Sequence, residues 1–148
     1  MTDAVLTASR LLVAVSARSI AAVDESITVP QFRLLVVLDT RGPLKAASLA
    51  EYLVVNPSTT TRMVDRLVSA DLVSREINPA SRRELVVSLT EAGTAVVREV
   101  TRRRRAEITR IVNRMTPSAR RGLVHALSAF AEAGDEPAIT DPAAGLWL

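Results

Sequence analysis

Between residues 56 and 90 the inward-facing residues change their spacing once, and that change constrains the fold more than any other feature of the chain. In "NPSTTTRMVDRLVSADLV" the positions Thr60, Met63, Val64, Leu67 and Val68 recur in steps of three and four, the period of a helix packed along one side. Asn56 is placed to cap that helix, and Pro57 falls at its first position, where a missing N–H costs nothing. Ser58, Thr59, Arg62, Arg66 and Ser69 are expected on the opposite side. The period then shortens to two. "LVSREI" (72–77) and "ELVVSLT" (84–90) read as strands, the second alternating Leu85, Val87 and Leu89 against Val86 and Ser88. "NPASRR" (78–83) reads as the turn between them, with Arg82 and Arg83 at its tip.

The flanks are helical. Residues 4–24 predict a helix with Val5, Ala8, Leu12, Val15 and Val23 inward. Thr28 and Gln31 fit a capping box, with Pro30 in the first turn, opening a helix over 29–41 that buries Phe32, Leu35 and Val36. "RGP" (41–43) stops it, Leu44 reads as a one-residue strand, and a short helix follows over 45–53. Asp71 sits where the helix that opens at Pro57 is expected to stop, in the left-handed conformation that Asp tolerates. Thr90 caps a long helix over 91–115, and Thr116-Pro117 opens a last one to about residue 133. The fold class is therefore mainly α with a small β-hairpin wing. A winged helix-turn-helix (28–90) stands between helices at 1–27 and 91–134, and residues 135–148, which hold Trp147, read as a tail.

Several function classes fall away. With no cysteine and a single histidine, His125, the chain offers no thiolate metal site, no histidine cluster and no Ser-His-Asp triad. Its carboxylates are scattered and it has no glycine-rich phosphate loop, so neither an enzyme nor a cofactor is expected. No apolar run is read as approaching bilayer length and no basic leader is read at the start, so the expected place is the cytoplasm, with no membrane partner. Of 19 cations only Lys45 is lysine, the rest being arginine, whose planar fork suits phosphate and guanine edges. A GC-rich coding sequence would give the same bias, and the net charge is only +3.

A hydroxyl-fronted helix beside an arginine-bearing hairpin is a DNA-reading arrangement. Ser58, Thr59 and Thr61 are small enough for the helix end to approach a duplex, and Arg62, one turn further, reaches a guanine edge. Capping alone also explains a Ser/Thr-rich first turn; the hairpin favours DNA, with a protein-binding winged helix as the alternative. In "RRRR" (102–105) four consecutive helical residues cannot share one face. Arg104 falls on the line of Val97, Val100, Ile108, Ile111 and Met115. It is expected either to lay its stem on the core with its head in water, or to meet a partner subunit or an anionic effector.

From Thr28 to Gly93, "ITVPQFRLLVVL", "SLAEYLVVNPSTTTRMVDRLVSADLVSR" and "NPASRRELVVSLTEAG" resemble the MarR (multiple antibiotic resistance regulator) family. The resemblance implies a homodimer knitted by the first and last helices. It further implies double-stranded DNA bound at a palindromic operator, and repression relieved by a small anionic or partly apolar effector. It places the recognition helix on Pro57 to Arg66 and the wing motif on Ser81, Arg82 and Arg83. The implied DNA contacts are Ser58, Thr59, Thr61, Arg62, Arg66, Ser81, Arg82 and Arg83. Three positions depart from the pattern. Thr60 replaces an apolar residue and Asp71 a glycine. Ser81 replaces an aspartate that would pair with the arginine and hold the wing tip, a task left to a neighbour such as Glu84.

Overall fold

The computed structural model describes residues 1–136, so Trp147 and most of the expected tail lie outside the described residues. The order is α1 (Thr2–Ala21), α2 (Val29–Arg41), β1 (Leu44–Lys45), α3 (Ala46–Leu53), α4 (Pro57–Ser69), β2 (Val73–Asn78), β3 (Ser81–Leu89), α5 (Glu91–Asn113) and α6 (Pro117–Ala133). Two compact units divide at Ile108.

In the first unit the core gathers one side of every element from α2 to α5. Phe32, Leu34, Leu35 and Leu38 of α2 meet Leu49 and Leu53 of α3, Met63, Val64 and Leu67 of α4, Val73 and Val87 of the sheet, and Val97 and Val100 of α5. Local chemistry sets the entries. The Thr28 hydroxyl accepts from Gln31 N (3.3 Å) and the Gln31 side-chain oxygen accepts from Thr28 N (2.9 Å), the expected reciprocal box. Val36, expected inside, is only half-buried, because the buried stripe of α2 runs through Leu34 and Leu38.

Both helices of the helix-turn-helix end on a left-handed residue. After α4, Asp71 (φ 59°) lets Leu72 N reach Leu67 O at 2.9 Å, as its identity led us to expect. After α3 the same seat holds Val54 (φ 55°), with Val55 N bonded to Ala50 O at 3.2 Å. A left-handed conformation costs an L-residue about 1–2 kcal/mol, and a β-branched side chain fits it poorly.

The wing differs from the expected turn. Its strands reach Asn78 and restart at Ser81, leaving only Pro79 and Ala80 between them, because Asn78 Oδ1 accepts from Ala80 N at 3.0 Å. Arg82 and Arg83 therefore belong to β3, not to a turn tip. The pairing passes from Ile77↔Leu85 to Asn78↔Ser81, so residues 82–84 bulge from β3. β1 adds an outer strand through Leu44↔Val87 and Lys45↔Val86, giving the antiparallel order β1-β3-β2.

α1 corrects two expectations. Only Val15, Ser19 and Ile20 are buried, whereas Val5 and Leu12 are 38% and 43% exposed, because the first half of the helix finds nothing within the first unit to pack on. The helix is also long and apolar enough to cross a membrane, with a mean hydropathy of 1.4 over an 18-residue window. Its alanine, valine and leucine content outweighs the scattered charges. In the second unit, Thr116 caps α6 by accepting from Ala119 N (3.4 Å), and Val124, Leu127 and Phe130 remain exposed along it, as does His125.

Candidate nucleic-acid interface

The inner face of α4 is the expected one: Thr60, Met63, Val64 and Leu67 are buried and Val68 half-buried. Thr60 tolerates its place because its hydroxyl can reach back to Asn56 O at 3.4 Å. Ser58, Thr61, Arg62, Arg66 and Ser69 are exposed, but Thr59, expected beside them, is half-buried.

The hydroxyls and backbone donors of the first turn are largely occupied. Ser58 Oγ donates to Asn56 Oδ1 (2.7 Å) and Thr61 Oγ1 donates to Pro57 O (2.9 Å). A hydroxyl has one proton, so both present lone pairs outward and suit donors on base edges, such as cytosine or adenine amino groups, better than phosphate. Asn56 Oδ1 accepts from Thr59 N (2.8 Å) and Asn56 O from Thr60 N (3.2 Å), while Pro57 has no N–H. Only the Ser58 N–H of residues 57–60 remains for an anion, fewer than the free helix end expected from the sequence.

The cations divide by whether they are already paired. Arg75 on β2 donates to Asp65 on α4 at 2.5 Å, tying the recognition helix to the wing root. Arg62, Arg66, Arg82 and Arg83 are exposed and carry no ion pair among the described residues. Ser81, expected at an open turn, is half-buried at the start of β3. Glu84, the neighbour expected to stand in for the missing aspartate, binds neither wing arginine among the described residues. Its Oε1 accepts from Lys45 Nζ (3.0 Å) and its Oε2 from Asn78 Nδ2 (3.1 Å). Those bonds, Lys45 first, hold its carboxyl below the ordinary carboxylate range. Sequence reasoning passed over Lys45, Asn78, Asp65 and Arg75; the Asn-Pro step at 78–79 was a local signal for Asn78 alone.

Two members of the arginine run are ion-paired within their own helix. Arg102 (2.7 and 2.8 Å) and Arg103 (2.8 Å) fold back onto Glu99, whose carboxyl falls to about 2 through hydrogen bonds from Arg102 and then Arg103. Arg104 is half-buried, unlike its exposed neighbours Arg102, Arg103 and Arg105. Its Nε is buried with no acceptor among the described residues, and burial lowers the guanidinium pKa. The simple picture of a head in water therefore does not describe that nitrogen.

Residues 27–85 match the MarR family model. The transcriptional repressor MdtR of Bacillus subtilis is 32% identical over 111 residues, 75% of this chain and 72% of the relative. The crystal structure of RV1404 from Mycobacterium tuberculosis superposes with a TM-score of 0.89 at 61% identity, covering 94% of this chain and 95% of that one. A mutant E. coli MarR complexed with operator DNA has the same fold, with a TM-score of 0.67 at 23% identity over 87% of this chain and 91% of the other.

Proposed function

The chain belongs to the MarR family, and from that premise we propose that it is a homodimeric, sequence-specific DNA-binding regulator of transcription, acting as a repressor that a small ligand releases. The observation that carries this reading is the set of four unpaired arginines, Arg62 and Arg66 on α4 and Arg82 and Arg83 on the wing, on two elements held together by Asp65 and Arg75. Residues 28–90 form the DNA lobe. In a dimer, two such lobes meet successive major grooves about 34 Å apart, which calls for a palindromic operator. Ser58, Thr59, Thr61 and Arg62 face base edges; Arg66, Ser81, Arg82 and Arg83 serve the backbone and the minor groove. The exposed apolar residues of α1 and α6 supply the dimer surface, with 1–27 and 91–134 as its dimerisation segments. The regulator works in the cytoplasm, on the nucleoid.

The test is binding to an operator duplex selected from a randomised pool, against a random duplex of equal length. Arg62→Ala is expected to cost about 1–3 kcal/mol on the operator and little on random DNA, the signature of a lost guanine contact. Equal binding of both duplexes by the unaltered protein would remove the sequence-specific reading.

Arg104 is proposed to satisfy its buried Nε on an acceptor supplied by the second subunit or by an anionic effector. Arg104→Met keeps the stem and removes the donor. It should alter the dimer dissociation constant or the release of DNA by small carboxylates; no change in either returns Arg104 to a packing role.

A further inference from the structure

The wing arginines leave the sheet from an irregular stretch, and one carboxylate closes it. Between Ile77↔Leu85 and Asn78↔Ser81, residues 82–84 have no ladder partners of their own, so nothing in the sheet fixes their direction. Glu84, the last of the three, reaches across to Asn78 Nδ2 at 3.1 Å, while Asn78 Oδ1 holds Ala80 N at 3.0 Å and thus the two-residue turn. Lys45 Nζ, from the end of β1, lies 3.0 Å from the other Glu84 oxygen and 2.9 Å from the one that Asn78 also binds, so it straddles the carboxylate. A single side chain, next in sequence to Arg82 and Arg83, therefore bonds to both neighbouring strands.

Its charge has the wrong sign for a surface that meets phosphates. A carboxylate beside two free arginines repels the DNA backbone, and it also occupies the only lysine of the chain, at the first residue before α3. A surface built for affinity alone would leave Lys45 free and carry a neutral residue at position 84.

We propose that Glu84 is a positioning residue for DNA recognition: it sets the aim of Arg82 and Arg83 and withholds Lys45 from the duplex, giving up affinity for every sequence to favour the correct one. The proposal rests on the DNA-binding function above. It assigns the wing a mechanism of specificity that needs no contact between Glu84 and a base.

The test uses the full chain, a selected operator duplex and a random duplex, with affinities measured from 50 to 200 mM salt. Glu84→Gln should bind random DNA more tightly, and its log–log salt slope should steepen by about 1.8, from one released lysine in each half of a dimer. The ratio of operator to random affinity should fall about tenfold, the size of one lost base-pair preference. Lys45→Gln alone should leave the slope unchanged, and added to Glu84→Gln it should abolish the steepening. A purely structural role would shift thermal unfolding and move neither slope nor ratio, and that result would overturn the proposal. A shallower slope in Lys45→Gln alone would overturn it too, by showing that Lys45 already contacts DNA. Equal binding of both duplexes by the unaltered protein would instead remove the DNA-binding premise, a failure distinct from these.

Discussion

Gly93→Ala is expected to lower stability by about 3 kcal/mol or more, at the upper end for an overpacked site. A Cβ on Gly93 would lie 2.0 Å from the backbone oxygen of Leu72 and 3.1 Å from a Leu89 methyl. The oxygen has little freedom to retreat. It accepts from Thr90 N at 3.1 Å, and Leu72 N is itself bonded to Leu67 O at the end of α4. Thr90 adds two more restraints, donating to Asp71 O at 2.6 Å and accepting from Gly93 N at 3.0 Å. The end of α4, the start of β2 and the start of α5 thus meet at one backbone crossing that has room for hydrogen only. The measurement is thermal unfolding at a fixed protein concentration, since the midpoint of the proposed homodimer would depend on concentration. For a chain of this length a drop of roughly 6–12 °C is expected. An unchanged midpoint would mean that the crossing opens at little cost.

The second large effect is on DNA binding. With Arg66, Arg82 and Arg83 on phosphates in each half of a dimer, about six counterions are released, and operator affinity should fall roughly a thousandfold between 50 and 200 mM salt. Arg83→Ala should flatten the log–log slope by about 1.8, two contacts per dimer, and weaken operator and random DNA by similar factors. That pattern separates it from Arg62→Ala, whose loss falls on the operator alone. A slope unchanged by Arg83→Ala would take that residue off the backbone.

The helix starts capped by Thr28, Asn56, Thr90 and Thr116 were legible in the sequence because capping is chemistry between residues three apart, whereas uncapped α1, read as 4–24, runs Thr2–Ala21. The inner face of α4 was legible for a similar reason: the helical period decides it before any partner is known. The left-handed seat at Asp71 was read correctly from residue identity. The same logic gave no warning of Val54, where the turn between α3 and α4 imposes the conformation on a residue that resists it.

The site was less legible than the fold. Composition showed many arginines and could not say which were free. Arg75 and Arg83 look alike in the sequence, yet one is bound to Asp65 and the other carries no ion pair among the described residues. Such pairing depends on which side chains of different strands and helices come within about 3 Å of each other, a distance that local spacing does not encode. The wing erred for the same reason: "NPASRR" has turn chemistry throughout, but cross-strand pairing at Ser81 drew half of it into β3.

By itself the sequence determined which segments turn helical and which side of α4 is apolar, because those properties follow from neighbours within one or two turns. Only the tertiary structure decided that Glu84 belongs to Lys45 and Asn78, that the Arg104 Nε is buried without an acceptor among the described residues, and that Gly93 must pass against Leu72. Each of these sets groups distant along the chain against one another, and their free energies turn on separations and desolvation that exist only once the elements have packed.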